Sequence, residues 1–227
     1  MSDTMITALA TFGAAVLGAV VGGLISYLLQ GQALAATNVQ HDSDRREVRK
    51  ALALSLVIKM IRISSDLNNL GKSILDSMER ARKDGITGMP FQIVVPTLPL
   101  PDPIRFSPDE MAWVLSVNNN LFNEMGPLDE LHTSTVAIFD LYNAKRSHLL
   151  DRLGAEMKGM VGTTTLTHEQ KLWFEPRAAE LNQLVELMIQ RSQRDTKEAW
   201  AAFDKLTAVV SREFNMNLKF EKKPDVF

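Results

Sequence analysis

After Asp3, no Asp, Glu, Lys or Arg occurs until Asp42. Within that window Met5–Leu29 is almost wholly apolar or small. As a helix those residues would measure about 37 Å, against a hydrocarbon core of about 30 Å. A run of this length and polarity predicts a single transmembrane helix. A cleaved signal peptide is the competing reading, with Ala33-Leu34-Ala35 imitating a cleavage site. That class has a basic leader and a short apolar core. Here the leader Met1–Thr4 carries no Lys or Arg, and the apolar run is too long.

Orientation follows from the flanks. The N-terminal side lacks Lys and Arg, whereas Arg45, Arg46, Arg49 and Lys50 follow the span closely. The positive-inside rule therefore places the N-terminus outside and the C-terminal portion in the cytoplasm, with the chain in the cell inner (plasma) membrane. The absence of Cys fits a reducing compartment weakly. This juxtamembrane basic group is too modest to predict strong anionic-lipid binding.

The span has internal order. Ala10, Ala14, Gly18, Gly22 and Ser26 recur every four residues, and Gly18 and Gly22 form a GxxxG pair. A stripe of small residues lets a second helix approach closely, which favours association in lipid. The competing reading is chance in a Gly- and Ala-rich span.

Composition bounds the rest. The chain has 227 residues, 45% hydrophobic, with a net charge of -2, which excludes disorder. Twelve Gly, nine Pro and no Cys exclude collagen-like and disulfide-stapled classes. A pI near 6.1 argues against nucleic acid as a partner.

Beyond the span the pattern is helical. Leu56, Met60, Ile63, Leu67, Leu70, Ile74 and Ala81 keep 4-3 spacing, interrupted at Ser77, and Leu54, Ile58 and Ile61 add a second stripe. Such a helix sits centrally in a bundle. Residues 85–107 cannot continue it, because Pro90, Pro96, Pro99, Pro101 and Pro103 remove donors and clash with the preceding turn. The plain reading is an extended strap over the bundle. The sharper one is a partner-binding loop at Pro96, Pro99, Pro101 and Pro103, since Pro96-Thr97-Leu98-Pro99 matches PxxP.

Ser107, Pro108 and Glu110 mark the next helix start as a capping box, and Thr167 with Gln170 marks another. Between them, Gly126-Pro127 is a break, and Leu128, Leu131, Thr135, Ile138, Tyr142 and Leu149 predict a long helix to about Met157. Gly159, Gly162 and their Thr neighbours form the turn. The final helix runs from His168 to about Phe214, with Pro176 marking a boundary or kink. Gln190–Lys197 reads as a turn or an exposed polar stretch.

The expected fold is therefore all-α, an N-terminal transmembrane helix followed by a cytosolic antiparallel bundle of about four to five helices. The divisions are 1–4, 5–29 for the span, 30–44 as linker or continuing helix, 45–214 for the bundle and 215–227 for a loose tail.

Catalytic patterns are missing. There is no GxSxG, HExxH or GK[ST], and no Cys nucleophile. Asp129-x-x-His132 occurs without the second Glu-x-x-His motif that a di-metal bundle requires. No cofactor or metal is expected. Lys145, Arg146, His148 and Arg152 form a basic cluster that reads as a solvated face, because Asp140, Asp151 and Glu156 are close by. Eleven Met residues read as core filling rather than an adaptable surface. The last residues, Asp225-Val226-Phe227, are too few to identify a carboxylate-binding partner.

The leading expectation is a non-enzymatic, membrane-anchored scaffold or interaction module. It would form a homo-oligomer through the span, with a cytosolic protein partner. An oligomerising membrane-disrupting effector or pore former is the alternative. A ligand-sensing bundle is the third, and would need polar groups such as Asn118, Tyr142 and His148 in one pocket.

Overall fold

A computed structural model describes the backbone of residues 3–97, 99–153, 156–158, 161–163 and 165–220, and the side chains of 40–97, 99–153 and 165–220. The chain divides into two compact units, Met1–Ala51 and Leu52–Phe227. The elements are α1 (Asp3–Lys83), α2 (Pro90–Ile93), α3 (Pro108–Val117), α4 (Asn119–Met125), α5 (Leu128–Leu153), β1 (Glu156–Lys158), β2 (Val161–Thr163) and α6 (His168–Phe214). Apart from that short β pair, the fold is all-α.

In the first unit, the linker expected over residues 30–44 has helical backbone. The span at 5–29 and its ladder lie outside the residues with described side chains. Among the described residues, no helix is long and apolar enough to cross a membrane. From Gln40 to Arg49 every side chain is exposed.

The second unit is built on the 4-3 seam of α1. Leu56, Met60, Ile63, Leu67, Leu70, Ile74 and Ala81 are all buried. The second stripe is only half used: Leu54 and Ile61 are half-buried, and Ile58 is 55% exposed.

Two apolar cores fill this unit. The first joins Ala53–Leu67 of α1, Trp113 and Val114 of α3, Leu121 and Met125 of α4, Leu128 of α5, and Ala199–Phe214 of α6. The second joins Leu70 and Ile74 of α1, Phe91 and Val94, Val136–Leu149 of α5, and Ala178–Met188 of α6. Read along the chain, α1 and α5 both pass from the first core to the second, while α6 returns. The expected antiparallel order therefore holds for α5 and α6 but not for α1 and α5.

That direction explains the strap. From Lys83 back to Lys59, where α3 is tied, is about 36 Å along α1. No tight turn covers that distance, whereas the chain from Lys83 to Ser107 has ample reach at about 3.3 Å per residue. Phe91 and Val94 pack in the second core, and Ile104 and Phe106 pack against the first. Pro90 does not exclude helix here, because it takes the first position of the one-turn α2, where its missing donor costs nothing.

Polar contacts fasten the strap. The Tyr142 hydroxyl lies 2.6 Å from the Val94 carbonyl oxygen and 3.1 Å from that of Phe91. Arg146 Nε also donates to the Phe91 carbonyl, at 3.1 Å. Asn143 Nδ2 donates to the Thr97 carbonyl at 3.0 Å, and the Thr97 and Ser73 hydroxyls are 2.8 Å apart. Ser77, the interruption in the seam, is buried and accepts from the Val95 N–H at 3.5 Å. Burial pushes the Tyr142 phenol up to about 12, with Arg146 beside it opposing the shift.

The capping box at Ser107 forms as the sequence predicts, and Glu110 does more than close it. Its carboxylate accepts from the Ser107 N–H, from the Ser55 hydroxyl and from Lys59 Nζ, each at 2.7 Å. Burial alone would raise the Glu110 carboxyl. The Lys59 ammonium, the Ser107 N–H and the Ser55 hydroxyl outweigh it and hold the group below the ordinary carboxylate value.

Two boundaries differ from expectation. The helix begun at Pro108 breaks first at Asn118, not at Gly126-Pro127. Asn118 is extended (φ -160°) and its Oδ1 caps α4 by accepting from the Leu121 N–H at 3.0 Å. Side-chain competition of this kind is what makes Asn a good cap and a poor helix interior residue. Likewise α5 ends at Leu153 rather than near Met157, and Glu156–Lys158 pairs antiparallel with Val161–Thr163. The Val, Thr and Gly residues there are weak helix formers. Conversely, Pro176 neither ends nor divides α6.

Two substitutions check these fastenings by thermal and chemical unfolding. Tyr142→Phe keeps the ring but strands the buried Val94 carbonyl, for an expected loss of about 1–2 kcal/mol. Glu110→Gln is expected to cost about 1–3 kcal/mol at neutral pH. Because the native carboxyl titrates below its unfolded value, its contribution is present above the unfolded value and lost as pH falls through the native one. The gap between wild type and Glu110→Gln should therefore narrow in acid.

Candidate functional site

Between the two cores lies a layer of buried polar residues. On α1 it consists of Ser64 and Asn68, on α5 of His132 and Thr135, and on α6 of Ser192, Asp195 and Thr196. Each set falls where its helix passes from one core to the other. On α6 the 4-3 series Leu181, Val185, Met188 continues through Ser192 and Asp195 to Ala199 and Ala202. The stretch expected as a turn or exposed segment is helix throughout, and these three residues are its inward side. Extending the apolar spacing across the polar gap was the signal that identifies them.

Specific contacts join the layer. His132 Nε2 lies 3.2 Å from Asp66 Oδ2, linking α5 to α1. A carboxylate only accepts, so Nε2 is the donor. The Thr135 hydroxyl donates to Asp195 Oδ2 at 2.8 Å, linking α5 to α6. The other Asp195 oxygen accepts from Arg194 Nε and Nη2, both at 2.9 Å. Asp195 is wholly buried while the Arg194 side chain is about half exposed, so the guanidinium reaches in from the surface.

Several groups of the layer lack a hydrogen-bond partner among the described residues: Ser64 Oγ, Asn68 Oδ1, His132 Nδ1, Ser192 Oγ and Thr196 Oγ1. Elsewhere, helical hydroxyls turn back to their own backbone, as Ser77 does to the Ser73 carbonyl and Thr133 to that of Asp129. Groups buried and unpaired in this way cost roughly 1–3 kcal/mol each unless water or another molecule satisfies them.

The layer holds polarity but shows no activated nucleophile. Neither ring nitrogen of His132 takes a hydroxyl partner among the described residues. Among those residues no group of three or more His, Cys, Asp or Glu is placed to hold a metal. Asp129 and His132 serve different ends: Asp129 accepts from the Phe106 N–H at 3.2 Å, and His132 meets Asp66.

The other sequence candidates are dispersed. Ala10, Ala14, Gly18, Gly22 and Ser26 lie outside the described side chains. Arg45, Arg46 and Arg49 are exposed, and Lys50 lies 3.9 Å from Glu47. In the strap, Pro96 and Pro101 are half-buried, whereas Pro99 and Pro103 are exposed. Thr97, inside the PxxP match, is bound to the bundle through both hydroxyl and carbonyl.

The basic cluster is divided among internal roles. Arg146 is buried against the strap, Lys145 pairs with Glu180 at 2.8 Å, and Arg152 lies over the Trp173 ring at 4.5 Å. Asn118, Tyr142 and His148 do not meet. Asn118 caps α4, Tyr142 holds the strap, and His148 borders a groove between α5 and α6 with Lys145 and Arg177.

No protein family, curated protein or solved structure matches the chain.

Asp195 offers the clearest check on the layer. Asp195→Ala removes the acceptor of the buried Thr135 hydroxyl and is expected to cost about 2–4 kcal/mol. Asp195→Asn keeps an acceptor and should cost less. Combining Asp195→Leu with Thr135→Val removes both polar partners and should recover much of the loss. Denaturant midpoints of the variants measure this order.

Proposed function

We infer that this protein is a membrane-anchored, non-enzymatic helical interaction module that self-associates through Met5–Leu29. The uncharged run after Asp3 carries the reading, since a segment of that length and polarity matches a bilayer core. Its backbone lies within α1. The four-residue ladder from Ala10 to Ser26 supplies a face for a second copy. Exposed Arg45, Arg46 and Arg49 support a cytoplasmic side for the bundle. The non-enzymatic part rests on the absence of catalytic motifs from the sequence. Exposed apolar side chains such as Leu172 (62%) and Leu115 (46%) offer contact points for a protein partner.

Membrane attachment has a direct test. The chain should remain in the pellet after alkaline carbonate extraction, and a bundle accessible to protease only after cell lysis and vesicle opening fits the stated orientation. Release into the supernatant overturns the anchor. In a transmembrane association reporter, Gly18→Leu with Gly22→Leu should reduce self-association several-fold, because bulk on that face separates the helices. Depolarisation of the membrane on overexpression, abolished by the same pair, would favour the pore-forming alternative instead.

A further inference from the structure

The outward face of α5 and α6 carries a second pair of matched rows. Ser134, Ile138, Leu141, Lys145, His148 and Arg152 keep 4-3 spacing on α5, and Trp173, Arg177, Glu180, Leu184, Leu187 and Arg191 keep it on α6. Three contacts fix how the rows meet. Arg152 lies over the Trp173 ring at 4.5 Å, His148 and Arg177 line one groove of about 260 Å³, and Lys145 pairs with Glu180 at 2.8 Å. At the same register Leu141 stands level with Leu184, Ile138 with Leu187 and Ser134 with Arg191. Leu141 is 45% and Leu187 37% exposed, while Ile138 and Leu184 are half-buried. We propose that this face docks an amphipathic helix of a partner protein, apolar along its centre and acidic at both ends.

Charge selects the partner. Among the described residues, none of Arg152, Arg177 and Arg191 has a carboxylate within 4.0 Å. Arg177 Nη1 donates only to the Trp173 carbonyl, at 2.8 Å. Glu180 is the one acid in the two rows, and Lys145 neutralises it. Asp140, Asp151, Glu175 and Glu186 lie about 100° or more round their helices from these rows. The face is therefore apolar at its centre and positive at both ends, and carboxylates suit arginines left without partners. Four neighbouring apolar side chains rimmed by charge are a contact surface rather than scattered exposure. Arg177 and Arg191 are about 21 Å apart along α6, which is four turns of a docked helix. A second copy presenting the same face would set arginine against arginine in either direction. The proposal rests on the reading of the bundle as an interaction module, but not on the membrane span.

Fluorescence anisotropy of labelled helical peptides, titrated with the full chain in neutral-lipid nanodiscs, tests the proposal. The first peptide carries leucines at every third or fourth position and a pair of glutamates at each end. Its control replaces the glutamates with lysines. The glutamate peptide should bind saturably in roughly the micromolar range, and the lysine peptide about tenfold or more weakly. Arg177→Glu with Arg191→Glu should invert that preference, because both positions lie at the surface and meet the peptide ends. Leu141→Asp should weaken both peptides about tenfold without altering the unfolding transition. No saturable binding of the glutamate peptide up to about 1 mM overturns the proposal. So does a preference unmoved by the double charge reversal. If Leu141→Asp instead reduces association between copies of the chain and leaves peptide binding unchanged, the face belongs to a second copy and the proposal fails. Carbonate extraction of the same chain reports on the anchor separately, so loss of either reading leaves the other measurable.

Discussion

The direction of α5 relative to α1 governs this bundle. Both helices run from the first core to the second, so the chain must travel back along the bundle between them. A strap of apolar and Pro residues makes that journey, and much of the polar chemistry of the second core exists to hold it. Tyr142, Asn143 and Arg146, within about one turn of α5, supply hydroxyl, amide and guanidinium donors to strap carbonyls. A strap that buries Phe91 and Val94 cannot leave their carbonyls unpaired, because desolvated acceptors are costly. Glu110 completes the return by fixing the start of α3 to Ser55 and Lys59 of α1.

Local signals were readable in the sequence where they involved few residues. The seam from Leu56 to Ala81, the capping boxes at Ser107 and Thr167 and the strap were all apparent from spacing and residue type. Each depends on periodicity or on a side chain meeting its own backbone, and such physics is written locally. What escaped was non-local. Nothing near Tyr142 says that its hydroxyl meets residue 94, and nothing near Asn118 outweighs the stronger break suggested by Gly126-Pro127.

The polar layer shows the same limit in sharper form. Ser192, Asp195 and Thr196 resemble a solvated stretch because polarity normally marks the surface. Their burial becomes intelligible only when His132 and Thr135 on α5 and Ser64 and Asn68 on α1 are set beside them. A polar interruption in one helix is ambiguous. Matching interruptions in three helices compose one interior feature.

Asp195 also limits how the helices can be misassembled. Its carboxylate is fully enclosed, and beside the neighbouring Arg194 of its own helix it takes a hydrogen bond from Thr135 on α5. If α6 slid by one turn along α5, the apolar seams would still interleave, since they repeat at that spacing. A shift of α6 toward the second core would set the carboxylate, still paired with Arg194 of its own helix, against Ile138 and Phe139 in place of Thr135. Losing the Thr135 hydroxyl from a buried carboxylate costs about 1–3 kcal/mol, a sizeable part of the roughly 5–15 kcal/mol that stabilises a domain. A single acidic residue thus gives an otherwise repetitive interface one address.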